Sequence, residues 1–347
     1  MDVSHLESRR NKILEFIIQT YVETGAPVGS EAVCKRFHVR LSPATVRHVM
    51  GELERHELLT HPHTSAGRIP TDQGYRYYVD LLMTPQALTE SEAHAVDALS
   101  QDSADDPLEL LEAASGVVAG LTGQVGAVLV PGVPHSALRR IDLVPVDAHR
   151  VVGLLMTTDG LVRHALLEFD ELVDAAELAR INRFLNEELS GQMLSTVQDR
   201  LQQALMDATN AFNYLYKRAQ ELWTLGGFVE AEQTVFVDGV SQLLSQPEFC
   251  DLQKSRRLME ALEEQRPFVT LLEETTAGGR CRVVIGSENP YPELGRCSVV
   301  SAPYRAGARA AGSVGVIGPT RMDYGRVSAI VERVAGAVSR AMERFVA

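Results

Sequence analysis

Thr45, Arg47, His48 and Arg55 sit close together in the stretch PATVRHVMGELER (43–55) and bring a hydroxyl, guanidinium groups and an imidazole to one short segment. At about 100° per residue, Val46, Val49, Met50 and Leu53 share one face of a helix. Ala44, His48, Gly51 and Arg55 lie opposite, with Thr45 and Arg47 on the flanks. Small side chains at Ala44 and Gly51 let a backbone approach a groove floor, and His48 between them can donate or accept a hydrogen bond to a base edge. A recognition helix contacts bases mainly through its N-terminal residues, which places Thr45, Arg47 and His48 for base or phosphate contact. Arg55, two turns on, suits a phosphate, a contact that positions rather than specifies.

A polar hairpin follows. Leu58-Leu59-Thr60 reads as a strand and Arg68-Ile69-Pro70 as its return, with HPHTSAG between them. Such a wing offers His61, His63, Thr64, Ser65 and Arg68, with backbone N–H groups, to the phosphate backbone or minor groove. The competing reading of the His pair is a zinc site, but His61 and His63 lack Cys or carboxylate ligands at usable spacing. The segment closes on the aromatic residues Tyr75, Tyr77 and Tyr78.

Three helices must position these groups. The first starts near Ser4 or Ser8, where Ser4 and Glu7 fit a capping box. It carries Ile13, Phe16, Ile17 and Tyr21 on one face and ends at Gly25 and Pro27. Ser30 caps a second, Glu31 to about Phe37, with Ala32, Val33 and Phe37 inward. Ser42, the N-cap, and Pro43 at the first helical position open the third. The order helix, helix, helix, hairpin is that of a winged helix-turn-helix. Protein-interaction modules also use capped trihelical units, and Glu52, Glu54 and Glu57 would repel DNA if they faced it.

Net charge is −13, yet residues 1–71 hold nine Lys and Arg against eight Asp and Glu, so the acidity belongs to the remainder. An acidic body weakens non-specific adhesion to DNA. The start, MDVSHLESRR, has no apolar core, and no apolar run approaches the ~20 residues needed to span a bilayer, so a cytoplasmic protein is expected. Cys34, Cys250, Cys281 and Cys297 form no CxxC pair and fit a structural role. GSVGVIGP (312–319) has neither P-loop nor dinucleotide spacing, and Ser65 in T-S-A-G is no nucleophile elbow. His94, His135, His149 and His164 are scattered. An enzyme, a cofactor and a metal are therefore not expected.

Beyond Leu81 the chain reads as a helix and linker (84–106), broken at Pro85 and bounded by the acidic SQDSADDP (100–107). A helix from Leu108 to Leu121 precedes strands at 123–132, 138–145, 151–156 and 162–169, the last two joined by the turn Thr158-Asp159-Gly160. A helix over 173–189 follows. The C-terminus reads as a helix near 252–264, strands at 269–273, 282–285, 297–303 and 311–317, and a long helix from Tyr324 to Phe345. Strands with a helix on one face suggest an α+β sensor-like domain. Between them, 191–254 carries Leu222, Trp223, Leu225, Phe228, Val235, Phe236 and Val237, more apolar surface than a short insert buries alone. That surface is either core or a contact between copies, and we place Trp223, Leu225 and Phe228 at or near a homodimer interface.

Residues 1–83 resemble the HrcA heat-inducible transcription repressors of bacteria, through ILEFIIQTYVETGAPVGSEAV (13–33), SPATVR (42–47) and above all PHTSAGRIPTDQGYRYYVD (62–80). The resemblance continues through 143–169, 237–249 and 315–334. Family members usually read Ile-Arg-Asn-x-Met at the third helix. This chain reads Val46-Arg47-His48-Val49-Met50, so His48 stands where the family has Asn and its base contacts need not be the family's. The resemblance implies an α+β multidomain chain: a winged helix-turn-helix DNA-binding domain (1–83), a discontinuous GAF-like domain (107–190 and 255–347) and an inserted dimerisation domain (191–254). It also implies a homodimer on an inverted-repeat operator of the CIRCE type upstream of chaperone operons, nucleoid-associated when bound and kept active by the GroEL chaperonin. Control by a small effector in the GAF-like domain is the alternative.

Overall fold

The computed structural model of the chain describes residues 3–36, 42–62, 67–84, 86–101, 106–130, 136–158, 160–169, 174–207, 217, 220, 223–224, 234–249, 256, 259–260, 262, 264–307 and 309–346. The fold is α+β. Helices α1 (Val3–Thr24), α2 (Ser30–Arg36) and α3 (Pro43–Arg55) come first, then a hairpin of β1 (Leu59–Thr60) and β2 (Ile69–Pro70). Leu59 pairs with Pro70 and Thr60 with Ile69. Val28, in the α1–α2 turn, bridges to Arg68 and extends the hairpin by a third segment. Ile13, Leu14, Ile17, Val28, Val33, Val46, Val49, Met50, Leu53 and Leu59 fill the core of this unit. Ala32, expected inward, is exposed, and Phe37 lies outside the described residues.

The chain then turns into α4 (Asp72–Tyr77), continues as a π-helical turn over Tyr78–Leu82, and runs through α5 (Glu90–Gln101) and α6 (Pro107–Thr122). Asp106 caps α6 through a hydrogen bond from the Leu108 amide, and Gly123 ends it in the left-handed region that favours glycine. Next come β3 (Val125–Leu129), β4 (Leu138–Pro145), β5 (Arg150–Thr157), β6 (Val162–Glu168), α7 (Ala175–Leu189) and α8 (Leu194–Asp207). Then follow β7 (Val235–Asp238), α9 (Val240–Leu244), α10 (Arg266–Gly278), β8 (Arg282–Ile285), β9 (Cys297–Ala306), β10 (Arg309–Pro319) and α11 (Tyr324–Val346).

Two larger sheets result. A five-stranded antiparallel sheet in the order β7-β3-β10-β9-β8 forms the body. Strand alternation divides its side chains between two cores. Val128, Val300, Tyr304, Val314 and Val316 pack on α6 and α11, in a core continuous with the N-terminal unit. Val125, Ala127, Leu129, Val299 and Ile317 pack against Phe268, Leu271 and Leu272 of α10 on the other face. A separate three-stranded sheet, β4-β5-β6, packs on α7 and α8 around a core of its own that includes Leu138, Ile141, Leu155, Leu167, Leu185, Leu201 and Trp223.

The sheets divide the chain elsewhere than at residues 190 and 254. Strands β4–β6 and α7, expected within the discontinuous body, group with α8 and Trp223. Val235, Phe236 and Val237, expected within the insert, pair with β3 at the edge of the five-stranded sheet. The expected strand at 269–273 is helical, part of α10. Pro267 at the helix start and buried Phe268, Leu271, Leu272 and Thr275 at helical spacing override the β-branched run. The segment 84–106 is no free linker: α5 buries Val96 and Leu99 and pairs Glu92 and Asp97 with Arg326 and Arg333 of α11.

Candidate nucleic-acid interface

Helix α3 is fixed at its start by Ser42, whose hydroxyl accepts from the Thr45 amide at 3.1 Å and lies 2.9 Å from the Thr45 hydroxyl. Val46, Val49, Met50 and Leu53 are buried beneath it, which leaves Ala44, Thr45, Arg47 and His48 exposed. Arg47 folds back, its Nε donating to the Pro43 carbonyl at 3.3 Å. His48 and Arg55 are each 73% exposed and flank Glu52, at 3.4 and 3.9 Å from its carboxylate. Glu52 thus shares the outward face, its charge partly offset by Arg55. A Cβ added at Gly51 would meet nothing within 4 Å. Glycine costs about 1 kcal/mol in a helix relative to alanine, and internal packing does not require one here. The absence of a side chain leaves room for a partner outside the chain.

Within the hairpin, Arg68 turns toward α3. This guanidinium is 21% exposed and holds Glu54 of α3, with Nε at 3.1 Å and Nη2 at 3.0 Å from Oε2. Its Nη1 lies 2.9 Å from Nδ1 of His61. Arg68 therefore joins hairpin to helix. His61 lies 3.4 Å from Glu54 as well, a nearby carboxylate that sequence spacing did not reveal. Among the described residues no group of three or more His, Cys, Asp or Glu is arranged to hold a metal. His63, Thr64 and Ser65 lie outside the described residues.

The segment after the hairpin faces inward. Thr71 caps α4, accepting from the Gly74 amide at 3.0 Å, and a Cβ on Gly74 would stand 2.1 Å from the Leu58 carbonyl oxygen. Tyr75 is buried against Tyr324 of α11, ring centroids 5.6 Å apart, and Tyr78 is buried beside it. Tyr77 donates to Asn11 of α1 at 3.0 Å. Arg76 chelates Glu288 through Nε and Nη2, and Nη2 also donates to the Val283 carbonyl at 2.6 Å. Asp72 accepts from the Ser287 amide at 2.9 Å. At the far end of α1, Arg321 donates to the Val22 carbonyl at 2.7 Å and pairs with Glu248. Burial alone would raise the Glu288 carboxyl, but the Arg76 hydrogen bond and the Ile285 amide hold it below the usual carboxylate range. Glu248 is treated likewise: burial opposes ionisation and Arg321 outweighs it. The Tyr75 and Tyr324 hydroxyls are raised by burial. Sequence reading missed Glu288, Arg321 and Tyr324 as partners of the N-terminal unit, since each lies more than 200 residues from the group it meets there, and Glu248 lies 73 residues from Arg321.

Trp223 is 3% exposed, covered within a single chain by the three-stranded sheet and its helices. Its burial thus needs no second copy. Leu225 and Phe228 lie outside the described residues.

A profile of the HrcA protein C-terminal domain matches residues 108–328. The chain belongs to the HrcA family. The heat-inducible transcription repressor HrcA of Syntrophobacter fumaroxidans is 36% identical over 98% of this chain and 99% of the relative. That of Geobacter sulfurreducens is 36% identical over 97% and 98%. The crystal structure of a hypothetical protein at 2.2 Å resolution covers 97% of this chain and 98% of that one with a TM-score of 0.59 at 24% identity, a likeness of fold. Membership in HrcA, a family of transcription repressors, makes DNA the expected partner of the chain. No described helix is long and apolar enough to cross a membrane.

Proposed function

We propose that this HrcA-family chain is a cytoplasmic, heat-responsive repressor whose N-terminal unit works as a winged helix on an inverted-repeat operator of the CIRCE type upstream of chaperone operons. The observation that carries the reading is the face of α3: Thr45, Arg47 and His48 stand exposed at its N-terminal end, and Gly51 lies open behind them. In this reading α3 enters the major groove, with Thr45, Arg47 and His48 at base edges and Arg55 on a phosphate. Ser42 fixes the start of the helix, and its own hydroxyl is engaged within the cap. The five-stranded sheet with helices on both faces serves as the GAF-like body.

Two half-sites need two copies. The outer face of the three-stranded sheet supports a two-fold contact. Register sets Val144 beside Val152 and Val152 beside Leu166, and Met156 beside Val162. Val144, Val146, Met156, Val162 and Leu166 are each at least 36% exposed. An exposed apolar face of this kind marks an interaction site, and we assign it, in place of Trp223, to the homodimer. Release by heat, and assistance from the GroEL chaperonin, require an active state of small net stability whose population falls under stress.

Purified protein incubated with fragments of its own genome tests the reading. The retained fragments should share one inverted repeat, and retention should fall on heating and recover with chaperonin. Fragments with no common repeat would refute it.

A further inference from the structure

We propose that Glu54 is a positioning residue for operator binding, bracing the hairpin against the reading helix through Arg68 and His61. The proposal rests on the winged-helix reading above. Glu54 stands in the last turn of α3, where the negative end of the helix dipole disfavours an acid, and DNA phosphates near this unit would repel it. Neither helix energetics nor DNA attraction accounts for a carboxylate here. Its contacts do. Oε2 accepts from Arg68 Nε at 3.1 Å and Nη2 at 3.0 Å, and Oε1 lies 3.4 Å from His61 Nε2.

Arg68 Nη1 and His61 Nδ1, 2.9 Å apart, close the triangle. Guanidinium has no acceptor, so Nδ1 accepts from Arg68, and Nε2 on the other side of the ring lies 3.4 Å from Glu54. His61 follows β1 and Arg68 precedes β2, so one carboxylate grips both arms of the hairpin. The Arg68 backbone is held from the other side by Val28, through paired N–H and C=O bonds of 2.9 and 3.0 Å. Glu54 thus sets the angle between wing and helix without touching DNA, and Arg68 serves the same brace rather than a phosphate.

Operator binding of Glu54→Gln and Arg68→Gln variants, followed by fluorescence anisotropy across a salt series, tests this. Plain electrostatics predicts tighter binding when the Glu54 charge is removed. The brace predicts operator affinity lowered roughly tenfold, as for loss of a charged hydrogen-bond pair. Arg68→Gln should lower it similarly with an unchanged salt slope, whereas a phosphate contact would take about 0.9 from the slope. The double variant should cost no more than either single one. Hydrogen exchange without DNA provides a second reading. Hairpin amides of Glu54→Gln should exchange faster while α1 amides keep their protection. Unchanged hairpin protection, tighter operator binding by Glu54→Gln, or a slope lowered by Arg68→Gln would each overturn the proposal. Arg47→Ala in the same assay separates the two levels. If it leaves affinity unchanged, the winged-helix reading fails, and the exchange result still decides the brace.

Discussion

Replacing Arg76 by alanine should loosen the N-terminal unit from the body without unfolding either. Arg76 is 30% exposed and joins the units through a two-pronged contact with Glu288 and a 2.6 Å bond to the Val283 carbonyl, with Asp80 at 3.2 Å. Hydrogen bonds to charged partners contribute about 1.5–3 kcal/mol each when shielded. The exposure of both side chains screens these, and the Asp80 contact lies within one helical turn and does not cross the junction. A loss of about 2 kcal/mol is therefore expected. Arg76→Lys keeps the charge but loses the planar fork, and should recover less than half of it. Calorimetry is the assay. The wild-type core runs unbroken from Ile13 to Val338, so the junction should melt with the body. The alanine variant should show an earlier transition, with faster proteolysis near residues 84–90. A single transition within about 0.5 kcal/mol of wild type, the range of ordinary surface substitutions, would refute this account of the junction.

Gly74→Ala drives a Cβ to 2.1 Å from the Leu58 carbonyl oxygen, a backbone atom that cannot step aside. Destabilisation of about 3 kcal/mol or more is expected by chemical denaturation. Leu166→Asp together with Val144→Asp, on the outer face of the three-stranded sheet, should shift sedimentation from dimer to monomer with the fold intact by circular dichroism. An intact dimer would move the interface elsewhere. Glu288 and Glu248 ionise below the ordinary carboxylate range. Their contribution is present above the unfolded value of about 4.3 and lost as pH falls through the lower folded value. The stability lead of wild type over Glu288→Gln should hold at pH 6 and shrink below about pH 4.

Local chemistry was legible in the sequence. Ser42-Pro43 marked the start of α3, its apolar spacing marked the buried stripe, and strands β4 to β6 could be placed from alternation and turn residues. What the linear pattern did not show was partners. Arg68 reads as a phosphate ligand in sequence, and the Glu54 carboxylate beside it is visible only in the fold. Tyr75, Tyr77 and Tyr78 follow α3 and the hairpin closely in sequence but pack inward, Tyr75 against Tyr324 of the last helix. Strand β7 pairs with β3 across more than 100 residues, a long-range partnership that the linear pattern around Val235, Phe236 and Val237 does not carry. The run Phe268 to Leu272 fits a buried strand or a buried helix equally, and the helix is settled by what lies above and below it.

The claim on which the rest depends is that the outward face of α3 reads bases. The most direct measurement is the affinity of Arg47→Ala for the inverted-repeat operator beside its affinity for unrelated DNA, at one fixed salt concentration. A base contact predicts a loss of about 1–3 kcal/mol on the operator, with unrelated DNA much less affected. Operator affinity equal to wild type, or an equal loss on both DNAs, would contradict it.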